Sequence, residues 1–223
     1  MLSTRLMHIS LDRRSSDLLG PVRDQGLRPT CLAFATTSAH EALHVVGEPL
    51  SPEWLYYHAV KIAGDPPDAG SKLGPTATAV RVNGQAFEAH WSYQQDVPSA
   101  GWQPPRGLPH LLHATGHVSA IDFHDICMRL DGGHPSVLAC RIDRTFDQWQ
   151  VIGGEAVLSD APPPYSDDSA HAVLAVGYGH ISGTRFLKVR NSWGICWGID
   201  GYAWVSEKYV VARTYGAMFL EEL

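Results

Sequence analysis

Covalent catalysis by a thiol needs four things within reach of one another. They are a cysteine, an imidazole to exchange its proton, a group that fixes the imidazole's tautomer, and donors for the charge that develops on the attacked oxygen. Cys31 lies in "DQGLRPTCLAF" (24–34), where a turn-rich stretch gives way to a helical pattern. At a helix start its thiol meets the positive end of the macrodipole, which favours the thiolate. His171 opens the strand-like run "HAVLAVGY", so its ring can project from a strand end. Asn191 comes twenty residues later, after the strand-like "RFLKV". A hairpin near "GHISGT" brings 171 and 191 together, and an Asn carbonyl accepting from one ring N–H leaves the other nitrogen facing Cys31. Trp193 can cover that bond and exclude water.

The elements that must position these groups are visible in the pattern. Thr30 is the expected N-cap of a helix in which Ala35, Ala39, Ala42 and Val46 recur at helical spacing until Gly47. Ser51-Pro52 opens a second helix that runs to Gly64, and a third is expected from Pro75 to Asn83-Gly84. Between Tyr93 and His117 the composition turns to Pro, Gly and His, which reads as a connection between two halves. One more helix is expected over Ser119–Leu130, followed by strands "PSVLACRI", "HAVLAVGY", "RFLKVRNS", "GYAWVS" and "YGAMFLE", with "APPPYSDDS" as a loop.

Composition narrows the function classes. The chain has 223 residues, 44% hydrophobic, with 17 basic against 23 acidic residues and no basic run, so nucleic acid is an unpromising partner. No apolar stretch approaches the roughly 20 residues of a membrane span, and the first residues lack an apolar signal core. The chain is expected in the cytoplasm as synthesised, with delivery into another cell by a secretion system as the alternative. Cys31, Cys127, Cys140 and Cys196 form no CxxC pair and are expected to be reduced; Cys127 and Cys140 are read as core thiols and Cys196 as structural.

Two histidine patterns compete for attention. "HEALH" (His40–His44) matches H-E-x-x-H, which on a helix can hold zinc. It shares the helix that Cys31 opens, and no third ligand stands in a matching context, so solvated or second-layer histidines are the expectation. His110, His113 and His117 are spaced like ligands but are read as a surface loop. No metal and no cofactor is expected.

"PVRDQGLRPTCLAF" resembles the segment around the nucleophile of papain-like (C1-type) cysteine proteases. "HAVLAVGYG" followed by "FLKVRNSWGICWGIDGY" is similar to their histidine and Asn-Ser-Trp-Gly blocks, in the same order. "LSPEWLYY" and "GPTATAVRVNGQAFEAHWSY" are shorter echoes, and the resemblance spans roughly residues 20–205.

That resemblance implies Cys31 as nucleophile, His171 as general base and acid, Asn191 as the orienting residue, and Gln25 with the Cys31 backbone N–H as oxyanion donors. It implies Gly74 as a backbone partner for an extended substrate, with Pro29, Thr30, Ala170 and Trp193 beside it. Departures are equally specific. Arg28 stands where the family often has a disulfide cysteine, Pro29 where glycine is common, Leu32 where tryptophan follows the nucleophile, and Ala170 before the histidine.

The implied fold is α+β: one peptidase domain over 1–223, with a helical half near 22–100, an antiparallel β-barrel-like half over 101–223, and the cleft between them. The implied activity is hydrolysis of peptide or isopeptide bonds through a thioester, with restricted specificity. The implied partner is a protein or peptide substrate. Only thirty residues precede Cys31, so no inhibitory pro-segment is expected. An effector toxin silenced by a cognate inhibitor or immunity protein, and a non-catalytic peptide-binding module, are the alternatives.

Overall fold

A computed structural model describes residues 7–10 (backbone only), 19–98, 101–159, 169–181 and 183–223. Three helices fill the first half: α1 (Cys31–His44), α2 (Pro52–Ala63) and α3 (Leu73–Val82). The start and stop signals of α2 act as the sequence suggests. Ser51 Oγ accepts from Trp54 N, proline opens the first turn, and Gly64 closes the helix at φ 72°. A cap of this kind is worth about 1 kcal/mol. By contrast α3 begins two residues before Pro75, and Thr30 precedes α1 without a side-chain cap bond.

The second half is a mostly antiparallel sheet. Its strands are β1 (Met7–Ser10), β2 (Ala114–Ser119), β3 (Ser136–Ile142), β4 (Gln150–Ile152), β5 (Glu155–Leu158), β6 (Ser169–Ile181), β7 (Thr184–Arg190), β8 (Tyr202–Ser206) and β9 (Thr214–Glu222). The order is β2-β9-β3-β6-β7-β8-β5-β4, β1 pairs with β6, and β5–β8 is the parallel pair. The expected hairpin joins β6 to β7, with Ile181 opposite Thr184. Two further helices, α4 (Phe123–Asp131) and α5 (Glu207–Arg213), complete the half.

Several expectations are corrected. The helix expected from Ser119 starts at Phe123, because Asp122 caps it by accepting from His124 N and Asp125 N, while Ser119 ends β2. β1, β2, β4, β5 and α5 were not anticipated. Gly153 and Gly154, at φ 62° and 87°, are the two-residue turn between β4 and β5 that could have revealed that hairpin. Of the loop expected over Ala161–Ser169, all but Ser169 lies outside the described residues. One core runs from α1–α3 into β3, β6, β7 and β9, and α1 packs on β6. Among the described residues no helix is long and apolar enough to cross a membrane.

Candidate active site

Cys31 is the first residue of α1 and His171 the third residue of β6; both line one cleft of about 600 Å3 between the helices and the sheet. Gln25, Pro29, Ala170 and Trp193 line the same cleft, with Leu27, Gly70, Leu73, Ile142 and Tyr215 on its walls. Gly74 does not line it. It sits exposed in the first turn of α3, its carbonyl accepting from Thr78 Oγ1, and Gly70 occupies the cleft instead. Thr30 is wholly buried, also behind the lining, and its hydroxyl pairs with Tyr93 OH at 2.8 Å.

Register places the imidazole. β6 and β7 pair with Leu174 opposite Arg190, so the chain leaves β7 at Asn191 close beside the start of β6, two residues along from His171. His171 Nε2 lies 2.8 Å from Asn191 Oδ1, which also accepts from Ser192 N at 2.8 Å. A backbone N–H needs an oxygen, so the second bond identifies the Asn atom as Oδ1. An oxygen that only accepts requires Nε2–H on the imidazole, leaving the Nδ1 lone pair free to act as base. Trp193 covers the ring at a centroid distance of 4.5 Å, and Phe146 meets it edge-on at 5.7 Å. Trp193 thus lies over the imidazole, and His171 and Asn191 are both buried.

Ser192, which the sequence reading did not single out, ties the two halves together. Its hydroxyl donates to Gln25 Oε1 at 2.6 Å, and its carbonyl accepts from Gln25 N at 2.9 Å. Gln25 Nε2 donates one hydrogen to Arg28 O at 2.7 Å, and its second hydrogen remains for a ligand. The signal for Ser192 was its place within the Asn-Ser-Trp-Gly block.

Burial governs the charges. It raises the Cys31 thiol above its ordinary value, against the opposing pull of N–H donors at Ala172, Leu32 and Cys31 itself. The helix-start donors therefore act as expected in kind, but desolvation outweighs them, and position alone does not depress this thiol. Burial likewise lowers His171 to about 4, against the Asn191 bond. Each charge taken alone is thus opposed by burial, the thiolate on Cys31 and the imidazolium on His171 alike.

The competing histidines are engaged elsewhere. His40, wholly buried, donates from Nδ1 to Gln85 Oε1, and Glu41 pairs with Arg23 at 2.9 Å. His44 Nε2 donates to His113 O. Of the two HEALH histidines, His40 is thus interior and His44 half-buried. His113 and His117 point to Arg81 O and Glu221 respectively, with His117 on β2 and not on a loop. Cys140 is buried as expected, and Cys196 is exposed.

Comparisons with known proteins show what this chain is similar to in sequence and in fold. Residues 126–216 match the family model described as papain family cysteine protease. The curated "Cysteine proteinase 3" of Dictyostelium discoideum is 26% identical over 198 residues, covering 87% of this chain and 57% of that protein. The chain thus spans somewhat over half the length of that relative. Xylellain, a cysteine protease from Xylella fastidiosa, shares the fold with a TM-score of 0.74 at 21% identity, covering 97% of this chain and 86% of that one. The bromelain protease from Ananas comosus, solved with the E-64 inhibitor, gives 0.74 at 21% identity over 97% and 99% of the two chains. In sequence over residues 126–216 and in fold over nearly its whole length, this chain is papain-like.

Proposed function

We propose that the chain is a cysteine peptidase that hydrolyses peptide or isopeptide bonds through a thioester on Cys31. The observation that carries this reading is the His171 Nε2–H···Oδ1 Asn191 bond, which leaves Nδ1 as base in the cleft that Cys31 lines. Nδ1 takes the thiol proton as the sulfur attacks the carbonyl. The free N–H of Gln25 Nε2 and the Cys31 N–H receive the oxyanion, each donor worth about 10²–10³ in rate. His171 then protonates the leaving amine, and water activated by the same nitrogen opens the thioester.

Selectivity follows from the rim. Pro29 offers no N–H, and its carbonyl lies 3.5 Å from where a Cβ on Gly70 would stand, so the cleft is narrow there. Leu27 is fully exposed on the lining, and Leu73, Ile142 and Tyr215 add apolar wall. These features support restricted cleavage of an extended peptide with apolar side chains near the cut. A cognate inhibitor seated over the same cleft is the corresponding partner reading.

E-64, the compound in the bromelain structure, supplies the test, as an epoxide that alkylates thiols. Wild type gains one inhibitor mass at neutral pH and Cys31→Ala gains none. A folded wild type that stays unmodified leaves the non-catalytic peptide-binding scaffold as the surviving account.

A further inference from the structure

The turn carrying Gln25 is held by a side chain that lies behind the cleft. Arg28 is 1% exposed, and its Nη1 and Nη2 reach Glu53 Oε2 at 2.6 Å and Oε1 at 3.1 Å. Nη1 also donates to Gln94 O, and the guanidinium faces the rings of Tyr56 and Tyr93 at 5.3 and 5.1 Å. Glu53, wholly buried on α2, accepts further from Trp102 Nε1 at 2.8 Å and Gln94 N at 3.1 Å. Carboxylate and guanidinium are therefore fixed in one relative geometry.

A buried ion pair of this kind is a poor source of net stability, because desolvation offsets the attraction. What a planar bidentate fork supplies is orientation. Here orientation has a target, since the carbonyl of Arg28 accepts from Gln25 Nε2 at 2.7 Å. Ser192 Oγ fixes the other end of the same amide. Two anchored points set the amide plane, and hence the direction of its remaining N–H. Tyr93, which stacks on Arg28, also donates its hydroxyl hydrogen to Gln25 O at 2.7 Å. Cys31 is held by other means, at the head of α1 beside the Ala172 N–H.

We propose that Arg28, through its buried pair with Glu53, is a positioning residue for the Gln25 side chain, so that stabilisation of the oxyanion depends on this pair while nucleophile reactivity does not. The inference rests on the oxyanion role given to Gln25 above. It separates two measurements on one thiol. Hydrolysis of a peptide amide passes through an oxyanion, whereas alkylation by iodoacetamide displaces iodide at a saturated carbon and forms none.

The experiment compares wild type, Arg28→Lys, Gln25→Ala and the double variant, with thermal unfolding to confirm folding. Arg28→Lys keeps the charge and loses the fork. The expected result is a fall in kcat of about tenfold with KM changed less than about threefold, and Cys31 alkylation within about twofold of wild type. In the Gln25→Ala background the same change costs less than about twofold, because the residue it positions is gone. Equal cost in both backgrounds, unchanged turnover, or alkylation falling in parallel with turnover overturns the proposal. If Arg28→Lys does not fold, Arg28→Met/Glu53→Gln, which buries no unpaired charge, is measured by the same criteria. A wild type whose Cys31 is alkylated but which turns over no amide overturns the functional reading as well; active wild type with additive variants overturns this inference alone.

Discussion

The two walls of the cleft hold their chemistry by different physical means. On the sheet wall, His171 and Asn191 are brought together by the register of β6 and β7, and their bond needs one neighbour, Ser192, to complete it. On the helical wall, the turn from Asp24 to Thr30 has one isolated β-bridge, Asp24 to Trp193, and otherwise no ladder. It is held by Glu53, Tyr93 and Gln94, each reaching Arg28, Gln25 or Thr30 from far along the chain. The sheet wall is thus set by local regularity, and the helical wall by side-chain geometry. Substitutions on the two walls should fail in different ways.

His171→Ala removes the base, and the account expects turnover to fall about 10³-fold or more. Alkylation of Cys31 at neutral pH falls with it, since burial leaves the lone thiol protonated; rates of both reactions across pH check this. Acid stability comes next in size. His40, His58 and His171 are each lowered to about 4 from 6.5, chiefly by burial. The unfolded chain therefore binds more protons between those pH values. Stability is full above pH 6.5, is lost as pH falls towards 4, and levels off below. For wholly buried His40 the loss is on the order of 3 kcal/mol. Urea unfolding at pH 7 and pH 4.5 should show this fall, made shallower by His40→Gln.

Asn191→Ala frees the imidazole to turn, and turnover should drop roughly 10- to 100-fold with KM little changed. Ser192→Ala removes one hydrogen bond to Gln25, worth about 1 kcal/mol, so about fivefold in kcat is expected, with alkylation unchanged. Should Ser192→Ala instead slow alkylation, the two walls would not be separable in the way described. Leu27→Ser is the smallest change. It should leave kcat alone and raise KM about two- to threefold for peptides with apolar residues near the cut, seen in a peptide-library profile.

What the sequence disclosed follows the same division. Ser51, Pro52 and Gly64 mark α2 because caps and terminators act within one turn of chain, and the β6–β7 hairpin was legible because alternation and turn residues are local too. Cys31, His171, Asn191 and Gln25 were named as the site, and the structure places Cys31, His171 and Gln25 on one cleft with Asn191 bonded to His171. Whether each performs the role given to it is for the experiments above. β2 went unseen because "ATGHVS" is polar and glycine-bearing; its backbone bonds come from β9, a hundred residues later. Gly74 was chosen by position in a motif, but the chain turns so that Gly70, at φ 79°, meets Pro29. Arg28 read as a missing disulfide cysteine. Its replacement, a buried pair with Glu53 backed by Tyr56 and Tyr93, has no sequence pattern, because its partners lie 25 to 66 residues away.

The most direct test is hydrolysis of an unbiased peptide pool by wild type beside Cys31→Ala, each with and without a zinc chelator. The account predicts cleavage by wild type in both conditions and none by Cys31→Ala. Cleavage that survives Cys31→Ala and disappears with chelation would contradict it, moving the chemistry from the Cys31 cleft to His40, Glu41 and His44.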